Sequence, residues 1–374
     1  MQALRIVPTI FYYDTFKDFQ AEFHLSERDL IVTNKWLYDP YVLPLGVKSS
    51  VIFQENYGAG EPSDEMIDKI ARDAAAFDYD RIVAIGGGTV IDISKLLSLK
   101  LPQRSVDLFT GKAEVEKAKS LVIVPTTCGT GSEVTNVTVA ALTSLNTKKG
   151  LANDLLYADA AVLIPESMQG LPDKVFSTSS IDALIHAVES YLSPKASPFT
   201  EGFSEKAIDM IINGYLGIVR DGGGKEARAK YLKDFALASN YAGIAFGNAG
   251  CGPVHAMSYA LGGAFHMAHG ESNYQLFTAV LKKYAEKAPD GEKLGKLQER
   301  LSGLLGCPVS KVLDELDALL GRMIEKKPLR EYGMTRSQIE EFTSMTIENQ
   351  QRLLSNRYVE LSHEDIAAIY ESVY

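Results

Sequence analysis

The chain has 374 residues, of which 46% are hydrophobic and 23% are charged, and its formal net charge is -10. This length and composition are typical of a water-soluble protein with two domains. The negative charge argues against nucleic acid or an anionic membrane as a partner, and no apolar run approaches the roughly 18 residues of a membrane-spanning helix.

The cysteines indicate the compartment. Cys128, Cys251 and Cys307 lie far apart and form no CxxC pair. This usage fits a reducing environment and not a disulfide framework. The first residues, MQALRIVPTIFYYDTF, lack a basic head followed by an apolar block, so no signal peptide is indicated. We therefore expect a cytoplasmic protein.

Strands and helices alternate in the first part of the chain. The predicted strands are short apolar runs of the kind found in buried parallel sheets: LIVTN (30–34), SSVIF (49–53), the run beginning at Asp80, the run beginning at Leu121, and AAVLIPE (160–166). Helices are predicted at 63–77 and in the second half of DRIVAIGGGTVIDISKLLSL (80–99). Such alternation implies a parallel sheet with right-handed crossovers.

The composition changes near Leu171-Pro172, after which the chain shows long amphipathic helices and no convincing strand. We predict an α/β domain with a parallel, Rossmann-like sheet at 1–172, followed by an all-α domain at 173–374. Gly222-Gly223-Gly224 is interpreted as a loop between helices, because no strand precedes it.

Two loops at strand ends are candidates for nucleotide binding. Gly86-Gly87-Gly88-Thr89 follows a strand and opens a helix, where backbone N–H groups and the helix dipole can hold a pyrophosphate. Its spacing differs from GxGxxG, so it belongs to another nucleotide-binding scheme or to none. The second loop, PTTCGTGSEVT (125–135), offers hydroxyl groups that suit ribose and phosphate oxygens, although a solvated turn is an equal alternative.

A histidine cluster is the strongest chemical signal. Three of the chain's six histidines, His255, His266 and His269, lie between residues 251 and 270. Asp182 and His186 are four residues apart, so a helix places them on one face where both can bind one ion. We predict a metal held by this pair and two of the three clustered histidines. Their oxygen and nitrogen atoms suit a catalytic divalent Lewis acid better than a structural zinc site of several cysteines.

The ordered set of motifs resembles the iron-containing (group III) alcohol dehydrogenase family over essentially the whole chain. The matching segments are GGGTVIDISK (86–95), PTTCGTGSEVTNV (125–137), IDALIHAVESY (181–191) and NAGCGPVHAMSYALGGAFHMAHGESN (248–273). The family's fold, a Rossmann-like domain before a helical domain as in dehydroquinate synthase, is the one expected here.

The resemblance selects the metal ligands as Asp182, His186, His255 and His269. The expected NAD site comprises residues of both loops and flanking positions: Asn34, Gly87, Gly88, Thr89, Asp92, Thr126, Thr127, Thr130 and Lys149. His266 is the predicted proton carrier, with binding of the substrate carboxylate as its alternative role, and Lys149 is expected on the nicotinamide side. The Gly262-Gly263 step is expected to break the helix that carries His255, so that His269 starts the next one.

Two positions depart from the family pattern. Asn34 stands where NAD-preferring members often have Asp, which removes a carboxylate that would repel the 2′-phosphate of NADP. Tyr259 stands where many members have a histidine four residues after the third ligand.

Within the family, the chain most resembles NAD-dependent members that interconvert 4-hydroxybutyrate and succinate semialdehyde. The expected substrate is a small alcohol or aldehyde with a carboxylate, which Lys148, Lys149, Arg330 or Arg357 could bind. Fe²⁺ is the metal favoured by the resemblance, with Zn²⁺ as the alternative, and a homodimer is implied. The alternatives are a general primary-alcohol or glycerol-type dehydrogenase, an NAD-requiring lyase of related fold, a metal hydrolase and a non-catalytic binding protein.

Overall fold

The structure is a computed structural model that describes residues 2–145 and 147–374. The chain folds into two compact units. One unit spans Ile6–Gly170, and the other spans Leu171–Tyr374 together with the short segment that ends at Arg5.

A six-stranded parallel sheet forms the centre of the Ile6–Gly170 unit, in the order β1-β8-β5-β4-β2-β3. Its strands are β1 Thr9–Tyr12, β2 Asp29–Thr33, β3 Ser50–Phe53, β4 Arg81–Gly86, β5 Ser120–Pro125 and β8 Ala160–Leu163. A separate antiparallel hairpin consists of β6 Val137–Leu142 and β7 Thr147–Ala152. The helices of this unit are α1 Phe16–Phe23, α2 Lys35–Leu37, α3 Asp64–Ala74, α4 Gly88–Leu97 and α5 Val106–Phe109.

The alternation of side chains along the central strands explains why the sheet is buried on both faces. Leu30 pairs with Ile82, and that face packs into one hydrophobic cluster. Ile31 pairs with Val83, and the opposite face packs into a second cluster. A strand that is covered on both faces has a continuous run of Val, Ile and Leu residues. The central strands were predicted from this sequence pattern. The α/β prediction is confirmed, while β1 and the β6–β7 hairpin were not predicted.

Helices make up the regular structure of the Leu171–Tyr374 unit in the part of the chain described. They are α6 Asp173–Leu192, α7 Pro198–Arg220, α8 Gly224–Ala229, α9 Leu232–Ala249, α10 Pro253–Phe265, α11 His269–Lys287, α12 Glu292–Leu305, α13 Val312–Met323, α14 Ser337–Asn349, α15 Gln351–Leu354 and α16 His363–Ser372. Helix α6 is buried on all sides from Phe176 onward except at Ser179, as a central helix must be. Among the described residues, none of the helices is long and apolar enough to cross a membrane.

The end of α10 corrects one expectation. Helix α10 runs through Gly262-Gly263 without a break and ends at Phe265, where His266 follows in the left-handed conformation with φ 52°. A helical glycine costs only about 1 kcal/mol relative to alanine, which tertiary packing readily offsets. A left-handed residue, in contrast, cannot continue a right-handed helix. His269 is the first residue of α11, as predicted.

Candidate metal and cofactor sites

Four predicted ligands come together around the carboxylate of Asp182. Asp182 and His186 lie one turn apart on α6, His255 lies in the first turn of α10, and His269 begins α11. The distances to the Asp182 oxygens are 3.6 Å from His255 Nε2, 3.8 Å from His269 Nε2 and 3.9 Å from His186 Nδ1. One donor atom from each of the four lies within 4.8 Å of the others. His266 is not part of this group.

Glu189, which sequence reasoning missed, fixes the orientation of His255. Its carboxylate accepts hydrogen bonds from the backbone N–H of Gly252 at 2.9 Å and of Val254 at 2.6 Å. The same carboxylate lies 2.6 Å from His255 Nδ1. Because a carboxylate can only accept, Nδ1 carries a proton, and Nε2, 3.6 Å from an Asp182 oxygen, is the nitrogen left to bind a metal. A carboxylate behind a histidine in this way also increases the basicity of its free nitrogen.

Asn273 and Gly270 position the ligands on the α11 side. The Asn273 amide nitrogen donates to Asp182 Oδ1 at 2.7 Å and lies 3.2 Å from His269 Nε2. Gly270 lets α11 approach α6, because a Cβ atom at this position would be 2.1 Å from the carbonyl oxygen of Thr178. The residue after His269 must therefore be glycine for His269 to reach Asp182.

The charges of the cluster favour a bound cation. Burial alone raises the pKa of Asp182, but His186, His269 and His255 outweigh this effect and hold the pKa below its usual range. Burial likewise lowers the pKa of His255, yet the Asp182 and Glu189 carboxylates raise it to about 9. Two buried carboxylates thus create a negative potential around the histidines.

The donors fit a divalent metal ion. His255 Nε2 is buried and has no hydrogen-bond partner among the described residues. A buried nitrogen of this kind is suited to bind a metal ion. Tetrahedral metal–ligand bonds of about 2.0–2.1 Å place neighbouring donors about 3.3 Å apart. The distances from Asp182 to the histidines, 3.6 Å to 3.9 Å, are close to this value, and the other donor pairs, within 4.8 Å of one another, would reach it after side-chain rotation.

An overlapping group formed by Glu189, Cys251 and His255 fits a metal less well. Burial, reinforced by Glu189 and Asp182, raises the pKa of the Cys251 thiol well above its usual value, so the thiolate that a metal needs is disfavoured. Both oxygens of Glu189 are already engaged by donors of the chain.

Aromatic rings pack beside the ligands. The His186 ring stacks between Phe246 and His255, with centroid distances of 4.2 Å and 4.6 Å. Tyr259, one turn after His255, has its ring centroid 6.4 Å from that of His269. His266 is exposed, and its predicted role as proton carrier stays a prediction.

The predicted cofactor loops meet at the carboxyl edge of the sheet. From β2 the chain continues to β3 on one side, whereas from β4 it continues to β5 on the other. Open parallel sheets bind ligands in the crevice at such a switch point. Gly87 and Gly88 follow β4, and Thr127 and Thr130 follow β5. A Cβ atom at Gly87 would be 3.4 Å from Thr127 Cγ2, and one at Gly88 would be 3.3 Å from Thr130 Cγ2.

The amino end of α4 is open to an anion. Gly87 is its N-cap residue and has no side chain to bond the first-turn N–H groups. Thr126 Oγ1 is buried without a hydrogen-bond partner among the described residues. The hydroxyl of Thr89 instead donates to the Gly60 carbonyl at 2.9 Å. The two loops thus fit a pyrophosphate group, although Thr89 is engaged elsewhere.

Asp92 and Lys95 anchor the segment that follows the threonine-rich loop. Asp92 accepts from Ser132 Oγ at 3.2 Å and from the Val139 N–H at 3.0 Å. The Lys95 ammonium group donates to Ser132 Oγ at 2.8 Å and to the Val137 carbonyl at 2.7 Å. Burial lowers the pKa of Lys95 to about 8. These contacts show what Asp92 does within the chain, and its contact with a cofactor stays a prediction.

Asn34 and Lys149 lie in different settings. Asn34 follows β2, and its amide nitrogen donates to Glu55 Oε2 at 2.9 Å and to Gln54 Oε1 at 3.2 Å. Lys149 lies on β7 opposite Ala140 and is exposed. The neighbouring Lys148 pairs with Glu61, at 2.6 Å between Nζ and Oε2. Glu55 is a residue that sequence reasoning did not consider.

Two family models together match most of the chain. The model described as iron-containing alcohol dehydrogenase matches residues 8–165, and the C-terminal model of the Fe-containing alcohol dehydrogenase family matches residues 176–374. The chain belongs to the iron-containing alcohol dehydrogenase family. The family predicted from the motifs is thereby confirmed.

Among curated members of this family, 4-hydroxybutyrate dehydrogenase of Clostridium kluyveri is 51% identical over 374 residues, which is 100% of both chains. Long-chain-alcohol dehydrogenase 1 of Geobacillus thermodenitrificans is 34% identical and aligns over 90% of this chain and 88% of its own. Among solved structures, sulfoacetaldehyde reductase of Bifidobacterium kashiwanohense has a TM-score of 0.85 at 24% identity, with 100% of this chain and 99% of that chain covered. That structural similarity establishes the shared fold.

Proposed function

We propose that this protein is a metal-dependent, NAD-linked dehydrogenase that interconverts 4-hydroxybutyrate and succinate semialdehyde. The observation that carries the reaction type is the set of one carboxylate and three imidazoles around Asp182, of which all but the half-buried His269 are buried. The choice of substrate is supported by 51% identity to 4-hydroxybutyrate dehydrogenase of Clostridium kluyveri along the full length of both chains.

The chain's residues prepare both reactants. A divalent metal supplies a Lewis acid for the alcohol or aldehyde oxygen, and the nicotinamide ring accepts or returns the hydride. Asp182, His186, His255 and His269 would hold the metal. Glu189 keeps the proton of His255 on Nδ1, so that Nε2 stays available as a ligand. The amino end of α4 and the threonine-rich loop would bind the cofactor pyrophosphate and ribose.

His266 and Lys149 complete the proposal. His266, exposed at the end of α10, would carry the alcohol proton to solvent. Lys149 would contact the nicotinamide side of the cofactor.

The substrate carboxylate needs a cation or hydrogen-bond donors. Arg330 Nη1 donates to the Tyr374 carbonyl at 3.1 Å, and Arg357 is paired with Glu360. Lys148 is paired with Glu61. These partners leave Lys149 as the first cation to test, because its side chain has neither a salt bridge nor a hydrogen bond among the described residues.

We favour Fe²⁺ over Zn²⁺ because of the family, since one aspartate and three histidines can hold either ion. The thiols of Cys128, Cys251 and Cys307 are consistent with a cytoplasmic location, and a homodimer is our working assembly. Metal analysis after anaerobic purification would test the choice of ion, and light scattering would test the assembly.

The decisive experiment is an anaerobic assay of NAD reduction with added Fe²⁺ or Zn²⁺. We expect 4-hydroxybutyrate to be oxidised with a higher kcat/KM than 1-butanol or glycerol. Equal kcat/KM values would contradict a dedicated carboxylate site and favour a general alcohol dehydrogenase. Product formation without net NADH accumulation would instead indicate a lyase.

A further inference from the structure

At the carboxyl ends of β2 and β3, the Glu55 carboxylate lies beside Asn34, a residue that has no carboxylate of its own. Strands β2 and β3 are parallel neighbours, with Thr33 paired to Phe53. The residues that follow these two therefore meet at the sheet edge, and the Asn34 amide nitrogen lies 2.9 Å from Glu55 Oε2. In dinucleotide-binding sheets, an acidic side chain near such a strand end binds the adenosine ribose hydroxyls.

We propose that Glu55 makes this protein select NAD over NADP, by supplying from the turn after β3 the carboxylate that Asn34 does not supply after β2. The proposal rests on the proposed function, in which a dinucleotide binds at this edge. The same charge would repel the 2′-phosphate of NADP.

The contacts hold Glu55 in a fixed place. Its Oε1 accepts from the Lys35 backbone N–H at 2.7 Å, and its Oε2 accepts from Asn34. Gln54 contributes, because its amide nitrogen donates to the Gly58 carbonyl at 2.9 Å and so turns its oxygen toward Asn34. A carboxylate oxygen has two lone pairs, so both oxygens of Glu55 can still accept from a ribose hydroxyl group.

The orientation of Asn34 fits the same ligand. Its amide nitrogen faces Gln54 and Glu55, so its oxygen points away from them and can accept a hydrogen bond. Asn34 and Glu55 together thus present acceptors to a ribose diol, with the negative charge on Glu55.

One nearby cation must be considered, because an ammonium group could bind a 2′-phosphate. Lys35 follows Asn34, and its Nζ is 2.8 Å from the Asp39 carboxylate. Glu55 and Asp39 each carry a negative formal charge and Lys35 carries a positive one, so the sum of these charges is negative. A 2′-phosphate would therefore meet net repulsion at this edge.

The test compares Glu55→Gln with Glu27→Gln, which removes the same charge. Glu27 is exposed and lies just before β2, at the opposite end of the strand that Asn34 follows. Isothermal titration of the holoenzyme would measure Kd for 5′-AMP and for adenosine 2′,5′-bisphosphate, two probes that differ by the 2′-phosphate. Steady-state kinetics would measure kcat/KM for NAD and NADP with 4-hydroxybutyrate.

We expect Glu55→Gln to shift both ratios toward the 2′-phosphorylated ligand by about tenfold, and Glu27→Gln to leave them at the wild-type values. A double variant, Asn34→Asp with Glu55→Gln, exchanges the carboxylate and the amide and should restore the preference for NAD. A purely structural role of Glu55 would not produce this pattern.

Either of two results would overturn the proposal. One is a Glu55→Gln variant with wild-type ratios, and the other is a double variant that stays at the ratios of Glu55→Gln. If the wild type reduces NAD with 4-hydroxybutyrate in the same experiments, only the role of Glu55 has failed. If the wild type binds neither nucleotide and reduces no NAD, the proposed function has failed with it.

Discussion

Replacing Glu189 with glutamine tests how the chain prepares His255 for a metal. The side chain is buried, and its two oxygens accept three N–H groups, from Gly252, Val254 and His255. Glutamine has one oxygen and one NH₂ group of nearly the same shape. In either orientation, its NH₂ group faces at least one of the three donors.

The two orientations have different consequences. If the NH₂ group replaces Oε1, the Val254 N–H loses its acceptor, and His255 keeps only a neutral one. If the NH₂ group replaces Oε2, His255 Nδ1 must become an acceptor, and the proton moves to Nε2. A buried donor without a partner costs about 1–3 kcal/mol of folding free energy. Loss of such a carboxylate behind a ligand typically lowers metal affinity 10–100-fold, or about 1.4–2.7 kcal/mol.

The assay is competition for Zn²⁺ between the metal-free protein and a fluorescent chelator, together with unfolding in urea. Asp317→Asn is the matched control, since Asp317 accepts from Thr278 Oγ1 at 2.7 Å and Lys326 Nζ at 3.0 Å but touches none of the four ligands. We expect both variants to lose stability and only Glu189→Gln to lose Zn²⁺ affinity. A folded Glu189→Gln variant with wild-type Zn²⁺ affinity would refute the orienting role.

Three further predictions concern single positions. Gly270→Ala should lower the free energy of unfolding by about 1–3 kcal/mol and weaken Zn²⁺ binding, since its Cβ would lie 2.1 Å from the Thr178 carbonyl oxygen. The control Gly263→Ala, with open space around its Cβ, should stabilise α10 by up to about 1 kcal/mol. Equal effects of the two variants in urea unfolding would contradict this prediction. His266→Gly should gain about 1 kcal/mol by relieving the left-handed φ of 52° yet lower turnover, and unchanged turnover would exclude the proton-carrier role. The pKa of Lys95 is lowered to about 8 in the folded state, below its unfolded value. Burial of the charged ammonium group therefore lowers the free energy of unfolding below pH 8. This loss diminishes as the pH rises from the folded pKa toward the unfolded pKa. The stability of the wild type relative to Lys95→Met should therefore rise by about 1–2 kcal/mol from pH 8 to 9.5 in urea unfolding, and a constant difference would show that Lys95 does not titrate there.

The sheet was predictable because its signal is local. A strand buried on both faces must be apolar along its centre, and the central residues of β2, β4 and β5 are. The elements that were missed lack that signal. Strand β1 is a partly exposed edge strand, and β6 and β7 are joined without an Asn-Gly or Asp-Gly turn.

The metal ligands Asp182 and His186 were predictable because their signal is also local. The residues that orient the ligands, such as Glu189, were not predicted. The spacing of Asp182 and His186 places both on one face of a helix. Glu189 lies three residues after His186 on the same face, so its place near the cluster could have been read from the sequence. Its partner could not, because His255 is 66 residues away. Glu55 meets Asn34 through the pairing of β2 with β3, which no spacing along the chain shows.

Helix α6 shows how one buried helix can carry both ligands and their support. Asp182, His186 and Glu189 recur at helical spacing on a segment that is buried almost throughout. Isolated charges in such surroundings would each cost several kcal/mol. Here Asp182 is surrounded by three imidazoles and the Asn273 amide, and Glu189 by three N–H donors. Both carboxylates are thus satisfied within the described chain, whereas His255 Nε2 is not, and a ligand atom without a partner in the chain is what a metal site requires.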